Sequence, residues 1–157
     1  MITPIAGEPI LWLLAADAKV TTLTGEINYQ FSEKIRLAAT GNIYGYKVSG
    51  LSKAPQLPTT DLRINGTYNI GDKFLLKTDI YFMNQRYAYI ADPIASPIGK
   101  FEKMKSLLDL NLGIDYRYSK TVSLFLNVNN ITANRYMRWY NYRVYGINVH
   151  GGLAFTL

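Results

Sequence analysis

The sequence has no cysteine and a single histidine, His150. These absences exclude disulfide frameworks, thiol catalysis and zinc centres built from cysteine and histidine. Charged residues make up only 18% of the 157 residues, below the roughly 25% of an average soluble domain. The net charge is +6, but the basic residues are scattered, with no run longer than two. This distribution argues against a nucleic-acid surface, and no motif predicts a cofactor.

Long apolar runs are missing too. The longest, residues 10–16, has seven residues, whereas a helix needs about 20 to span a membrane. This run has the length of the hydrophobic core of an export signal. However, Pro4 and Pro9 precede it, and the Lys or Arg residues that stand before the core of such a signal are missing. We therefore interpret residues 1–18 as a mature N-terminal segment. A trimmed signal is the alternative, and the chain could also be a fragment of a longer one.

What the sequence has instead is a strict alternation of apolar and polar side chains from Thr22 onward. In the clearest run, Leu110 and Leu112 fall on one face and Asn111 on the other. A period of two is typical of β-strands whose two faces meet different surroundings. Seven such strands are predicted, at residues 23–31, 35–44, 61–70, 74–83, 108–118, 122–129 and 145–157.

Short turns, which fit tight hairpins, alternate with long connections. The short turns are residues 32–34, 71–73 and 119–121, and the long connections are residues 49–58, 90–104 and 131–142. The segment Tyr29–Leu37 recurs with changes as Tyr68–Leu76 and Tyr116–Leu124, each time around a short turn. An eighth strand could lie within residues 5–18. The pattern predicts an all-β fold, an antiparallel up-and-down meander of seven to eight long strands.

Alternation alone does not say whether the apolar face points into a core or out to lipid. The strands of about 10 to 14 residues exceed the 5 to 6 common in soluble proteins and suit a membrane span. The polar face is poor in charge, and four tyrosines stand just before short turns, where lipid headgroups favour amphipathic rings. They are Tyr29, Tyr68, Tyr116 and Tyr118. We therefore predict a transmembrane β-barrel over residues 19–157, complete and small or part of a larger one.

The charges of the polar face are nearly balanced in sign. We expect them to pair across neighbouring strands as a structural ladder, and coordination of a substrate is the less favoured interpretation. The bases are Arg36, Arg63, Lys77 and Arg117, and the acids are Asp61, Asp79, Asp109 and Asp115.

The C-terminus carries the sharpest motif. His150, Gly152, Phe155 and Leu157 resemble the assembly signal of outer-membrane β-barrels, which ends more often in Phe than in Leu. A last strand with an unpaired edge is a template on which an insertion machinery can pair. The resemblance implies a bacterial outer-membrane protein with its C-terminus on the periplasmic side and the barrel-assembly machinery as a partner.

Upstream, an alternating strand runs into Asn130, Asn134 and Tyr136. This segment resembles the penultimate-strand region of TonB-dependent receptors, and the likeness extends over roughly residues 20–157. It implies a section of the barrel wall of a solute uptake protein, with outer-membrane lipid and lipopolysaccharide around it. A missing plug and the remaining barrel strands would be its further partners. The sequence shows neither plug nor energy-coupling segment, so we do not expect the chain alone to perform driven transport.

Aromatic and basic residues cluster in two of the external connections. One hypothesis is that they contact a ligand, anionic or sugar-like, through stacking and charge. They are Arg86, Tyr87, Arg138, Trp139, Tyr140 and Tyr142. An aromatic girdle with arginines at lipid headgroups or lipopolysaccharide phosphates is the alternative, and it is favoured.

Two other classes of function stay open. One is a complete eight-stranded outer-membrane barrel with a structural or adhesion role, and the other is a soluble ligand-binding β-barrel. His150 has no nucleophile at a recognisable spacing, so we predict that the protein is not an enzyme.

Overall fold

The structure, a computed structural model, describes residues 17–92 and 96–156. Seven strands of this part of the chain form one sheet, and four form two separate hairpins. In chain order they are β1 (Ala18–Gln30), β2 (Ile35–Val48), β3 (Thr60–Ile70), β4 (Phe74–Met83), β5 (Arg86–Asp92), β6 (Ser96–Met104), β7 (Leu107–Arg117), β8 (Val122–Asn129), β9 (Met137–Trp139), β10 (Tyr142–Arg143) and β11 (Asn148–Phe155).

The large sheet is a meander. Its strand order is β1-β2-β3-β4-β7-β8-β11, and every neighbouring pair is antiparallel. The hairpins β5–β6 and β9–β10 are insertions between consecutive strands of this sheet. Within the described residues, no helix has the length and apolarity needed to cross a membrane. The predicted all-β antiparallel meander is therefore confirmed.

Local hydrogen bonds explain the short turns. The Oγ atom of Ser32 accepts hydrogen bonds from the backbone N–H groups of Lys34 and Ile35, each 3.2 Å long. Ser119 repeats this arrangement with the N–H groups two and three residues further on. In the middle turn, residues 71 and 72 both have φ of 57°, as a two-residue hairpin turn of type I′ requires. Each turn is thus determined by its own residues.

The register continues the apolar face from strand to strand. Ile27 lies opposite Ala39, and Ala39 lies opposite Ile64. The same row continues through Ile80 to Leu110. Because a shift by one residue would move a whole strand's apolar side chains to the other face, this register gives the sheet one apolar and one polar face.

The apolar face is exposed rather than packed in a core. The exposed fraction is 68% for Leu23, 47% for Leu112 and 72% for Leu153. A soluble barrel of this pattern would bury these side chains inside. The buried apolar side chains of the described residues all lie at the end of the sheet that carries the long connections; they are Ala54, Ala88, Met104 and Leu107.

The sheet remains open in the part of the chain that is described. Both β1 and β11 have one edge without a pairing strand there. Seven strands in an open sheet correspond to part of a barrel wall, one of the two forms that the sequence predicted. The suggested eighth strand within residues 5–18 lies outside the described residues, apart from its last two positions.

Two predicted loops contain regular structure. The connection at residues 90–104 belongs to the hairpin β5–β6, and the connection at 131–142 contains β9 and the start of β10. The last strand begins at Asn148 rather than at Tyr145. Pro93 and Pro97 led the sequence analysis to predict a loop at residues 90–104. In the structure Tyr89 pairs with Phe101 across the hairpin, with ring centroids 5.2 Å apart, and local sequence does not reveal this contact.

The last strand has a position that only glycine fits. A Cβ atom added to Gly152 would lie 2.8 Å from Cζ of the Phe125 ring on the neighbouring strand. At Gly151 the closest atom, the Phe125 carbonyl oxygen, would be 3.4 Å away, which is near ordinary van der Waals contact. The glycine of the C-terminal motif therefore makes room for a cross-strand aromatic ring.

We expect Gly152→Ala to lower the free energy of unfolding by about 1–3 kcal/mol because the methyl group overpacks against the Phe125 ring. The measurement is the temperature at which the purified full-length protein loses its heat-modifiable migration on gels. Phe125→Leu should rescue the Gly152→Ala variant, and Gly151→Ala is the matched control. Equal destabilisation by the two glycine substitutions would contradict this account.

Candidate functional site

Three long connections meet at one end of the sheet. They are residues 49–59, the hairpin β5–β6 with its flanks, and residues 130–147, which contain β9–β10. We call this the loop cluster. It has a packed interior, since the polar side chains of Arg86 and Asn130 are only 2% and 4% exposed. The loop cluster is thus a folded unit on top of an open sheet.

Arg86 joins two of the hairpins. Its Nη1 atom donates a hydrogen bond to the carbonyl of Arg138, and its Nη2 atom donates one to the carbonyl of Met137, each 2.5 Å long. Burial lowers the pKa of the guanidinium, but arginine remains charged at physiological pH. These two charge-assisted hydrogen bonds hold β9 against the start of β5.

The connection at residues 49–59 is attached to the two hairpins through Gln56. Its backbone N–H donates to the carbonyl of Tyr87 at 2.7 Å, and its Oε1 atom accepts from the N–H of Tyr140 at 3.1 Å. Beside it, the Nζ atom of Lys53 lies 3.3 Å from the centroid of the Tyr87 ring, a cation–π contact. The hydroxyl of Tyr140 donates to Glu102 at 3.1 Å, and this bond is the main cause of the raised pKa of Tyr140.

Asn130 shapes the chain where β8 ends. It adopts a left-handed backbone conformation with φ of 50°. Its Nδ2 atom donates to the carbonyls of Asn134 at 3.1 Å and Tyr145 at 2.9 Å. Its Oδ1 atom accepts from the N–H of Asn134 and the hydroxyl of Thr132, both at 3.2 Å. The side chain of Asn130 therefore shapes this loop, whereas Asn134 contributes only its backbone groups.

Tyr136, the third residue of that motif, docks the loop on the polar face. Its hydroxyl donates a hydrogen bond to Oδ2 of Asp109 at 2.7 Å. Burial, followed by this bond, raises the pKa of Tyr136 to about 12. The neutral phenol is thus the form that the loop cluster favours.

All six predicted ligand-contacting residues lie in the loop cluster, but in different settings. Arg86 is buried, and Tyr87 is half-buried beneath Lys53. Arg138 contributes its carbonyl and leaves its side chain exposed. Trp139 and Tyr142 are paired across β9–β10 and are 52% and 72% exposed.

The sequence analysis missed three residues that position this group. Lys53 and Glu102 each contact one of the predicted residues, and Gln56 contacts two of them, Tyr87 and Tyr140. Gln56 and Tyr140 are 84 positions apart in the sequence, so no local pattern could connect them.

The predicted charge ladder on the polar face is wrong in its main feature. Among the described residues there is one ion pair, between Lys77 and Asp115. The other three acids accept hydrogen bonds from neutral partners. Arg63 stacks on an aromatic ring instead, with its Cζ atom 5.3 Å from the centroid of the Tyr81 ring. For two of these acids the register is the reason, because it places an amide donor opposite each of them: Asn42 opposite Asp61 and Asn65 opposite Asp79. The donor to Asp109 is Tyr136, which belongs to the loop cluster.

His150, Gly152 and Phe155 of the C-terminal motif lie on β11, an edge strand of the sheet that the described residues form. His150 shares a 2.8 Å hydrogen bond with Oδ1 of Asn148, and Leu157 lies outside the described residues. No group of three or more His, Cys, Asp or Glu side chains in the described ranges has the arrangement of a metal site.

Neither a protein-family model nor a curated protein matches the sequence. Solved structures do match, and they define the class: the chain has the fold of the barrel wall of outer-membrane TonB-dependent receptors. The predicted resemblance is thus confirmed at the level of the fold. These neighbours are transport receptors rather than enzymes.

Three of these structures illustrate the match. The pyoverdine receptor FpvA of Pseudomonas aeruginosa PAO1, bound to pyoverdine, has a TM-score of 0.76 at 15% identity over 89% of this chain and 22% of that chain. The FpvAI–pyocin S2 complex gives 0.73 at 15% identity, over 89% and 19%. The ferric-catecholate import receptor Fiu of E. coli K12 gives 0.67 at 12% identity, over 90% and 21%. The chain therefore spans about a fifth of the length of these receptors.

Removal of the Arg86 side chain should loosen the loop cluster. In Arg86→Leu the carbonyls of Met137 and Arg138 lose their donors, and we expect local opening to become easier by on the order of 2 kcal/mol. Chymotryptic cleavage after Trp139 should then be about thirtyfold faster. The matched control is Arg138→Gln, which removes an exposed guanidinium from the same hairpin. Equal cleavage rates in the two variants would refute the bracing role.

Docking of Tyr136 should depend on pH. Because its pKa is raised from 10.0 to about 12, its contribution to stability is fully present below pH 10 and is lost as the pH rises towards 12. The measurement is the difference in tyrosinate absorbance between the parent protein and Tyr136→Phe during an alkaline titration. Asp109→Asn replaces the carboxylate by a neutral amide, which removes the negative charge beside the phenol, and should lower the midpoint of that difference. A parental midpoint near 10 would contradict the assignment.

Proposed function

We propose that the chain forms barrel wall and external loops of a TonB-dependent receptor-like protein for solute uptake. One observation carries the proposal: seven antiparallel strands expose a continuous apolar face, and all the long connections fold together at one end of them. An exposed apolar face of this size suits hydrocarbon rather than water. The fold of the three receptor structures supports the same function.

The orientation in the membrane follows from where the chain ends. The N–H of Thr156 donates to the carbonyl of Thr121 at 2.9 Å, so β11 ends beside a short turn. Outer-membrane barrels have short periplasmic turns and longer external loops. We therefore place the C-terminus on the periplasmic side and the loop cluster outside the cell.

Further partners follow from the open sheet. Within the described residues, one edge of β1 and one edge of β11 have no pairing strand. In lipid these edges need hydrogen-bonding partners, which further barrel strands would supply. A plug would occupy the lumen beside the polar face, and the exposed edge of β11 suits recognition by the barrel-assembly machinery. Outer-membrane lipid and lipopolysaccharide would cover the apolar face.

Within the loop cluster we assign two roles to the six predicted residues. Arg138, Trp139 and Tyr142, with their exposed side chains, are the direct contacts for an anionic or sugar-like ligand. Arg86, Tyr87 and Tyr140 hold the hairpins in place through the contacts described above. This division follows from exposure, since a buried guanidinium cannot meet a ligand that arrives from solvent.

The test uses the full-length protein in outer membranes, with the iron complexes of pyoverdine and of a catecholate siderophore as probes, since these are ligands of the structural neighbours. We expect the double variant Trp139→Ala/Tyr142→Ala to bind a recognised complex about tenfold more weakly, because two aromatic contacts are lost. Tyr145→Ala, an exposed tyrosine outside the hairpin, is the matched control. Unchanged affinity in the double variant would remove the assignment of the ligand contacts.

Solute uptake is tested separately, by the rate at which cells accumulate the iron complex. Cells that lack the protein should accumulate the recognised iron complex more slowly than parental cells. Parental rates with both complexes would count against uptake of siderophores by this protein.

A further inference from the structure

The net charge of the chain is concentrated at the loop end. The loop cluster, at residues 49–59, 84–106 and 130–147, contains eight Lys or Arg and two Asp or Glu. The rest of the chain contains nine of each, so the net charge of +6 belongs entirely to the loop cluster. A surface that carries one sign of charge raises the local concentration of oppositely charged solutes and speeds their association. The loop end therefore attracts anions.

Four of these eight bases line one open cleft of about 660 Å³. All four side chains are exposed, and no Asp or Glu is among the described residues that line the cleft. The four bases come from two separate connections; they are Lys103, Lys105, Arg135 and Arg143. Sites that bind small molecules have volumes of roughly 300–1,000 Å³. The cleft thus has the size of a small-molecule site and a charged lining of one sign.

The cleft is continuous with the polar face of the sheet. Tyr136 lines the cleft, and its hydroxyl donates the hydrogen bond to Asp109 described above. Asp109 belongs to the polar face, because the neighbouring Leu108 lies on the apolar face and is exposed there. Met104, which also lines the cleft, is buried in the loop cluster. A solute in the cleft would therefore lie beside the polar face and not beside the lipid.

The chemistry of the lining selects for several negative charges on one ligand. Arg135 and Arg143 offer planar forks of donors, and the two lysines offer compact charges, which suit carboxylate or phosphate oxygens. Like charges gathered around one cavity repel one another. A neutral ligand would leave this repulsion in place and a single anionic group would relieve only part of it, whereas a multiply charged anion would balance all four cations.

We propose that this cleft is an entry site for a small solute that carries several carboxylate or phosphate groups, bound by Lys103, Lys105, Arg135 and Arg143. The proposal rests on the uptake function given above, and it narrows the ligand from anionic or sugar-like to a multiply charged anion. The charge of the loop cluster would guide the solute to the cleft, and Tyr136 marks the side on which the polar face continues. Trp139 and Tyr142 do not line the cleft, so the cleft is a separate contact.

The experiment measures binding of tricarballylate, a flexible tricarboxylate, to the full-length protein purified in detergent. We expect tricarballylate to bind, inorganic pyrophosphate to compete with it, and its neutral trimethyl ester not to bind. Lys103→Gln/Arg143→Gln should weaken the binding of tricarballylate about tenfold at low salt, because two charge-assisted contacts are lost. Lys34→Gln/Lys120→Gln, which removes the same charge at the short turns, is the matched control and should bind like the parent.

The association rate of tricarballylate tests the guiding role of the loop cluster. We expect this rate to fall severalfold between low and physiological salt, because salt screens the attraction between the exposed cations and the approaching anion. The Lys103→Gln/Arg143→Gln variant should show a weaker dependence on salt than the control variant. A rate that does not change with salt in the parent would refute electrostatic guidance.

Further outcomes would overturn other parts of the proposal. Equal binding of the trimethyl ester would refute recognition of charge, and equal affinities in the two double variants would refute the cleft as the site. Displacement of tricarballylate by lipid A at a lower concentration than by pyrophosphate would refute a solute as the occupant. Because binding is measured on purified protein, its failure is distinguishable from a failure of solute uptake, which is measured in cells.

Discussion

One constraint underlies this structure: each long strand carries one face that water solvates poorly, and the register joins these faces into a single surface. The rows from Ile27 to Leu110 show that the alternation is never interrupted between strands. The interior strands make their backbone hydrogen bonds within the sheet, as hydrocarbon requires. The polar character of the opposite face follows from the same alternation.

The polar face of the sheet is less strongly constrained than the apolar face. Beside a water-filled lumen an exposed ion pair contributes little to stability, and the acids of this face mostly accept hydrogen bonds from amides and a tyrosine. Asn42 with Asp61 and Asn65 with Asp79 are such pairs. Neutral donors satisfy the carboxylates without requiring a basic residue at each neighbouring position. A polar face of this kind presents hydrogen-bonding groups rather than strong fields.

The loop cluster is where this chain departs from a simple wall. Its interior contains a buried guanidinium and a buried amide, both bonded to backbone carbonyls. The partners of Arg86 lie 51 and 52 positions further along the chain. Such contacts join the three connections into one platform, which presents the aromatic side chains of Trp139 and Tyr142 on one hairpin.

The strands, the short turns and the division into two faces were predictable from the sequence because each depends on neighbouring residues: alternation sets the faces, and Ser32 or Ser119 closes its own turn. The hairpins within the long connections and the burial of Arg86 were not. They arise where residues far apart in the chain are brought together by the register and by loop packing. Local sequence therefore specifies which side chains share a face, whereas tertiary packing establishes which charges meet a partner, because only the assembled sheet places those side chains side by side.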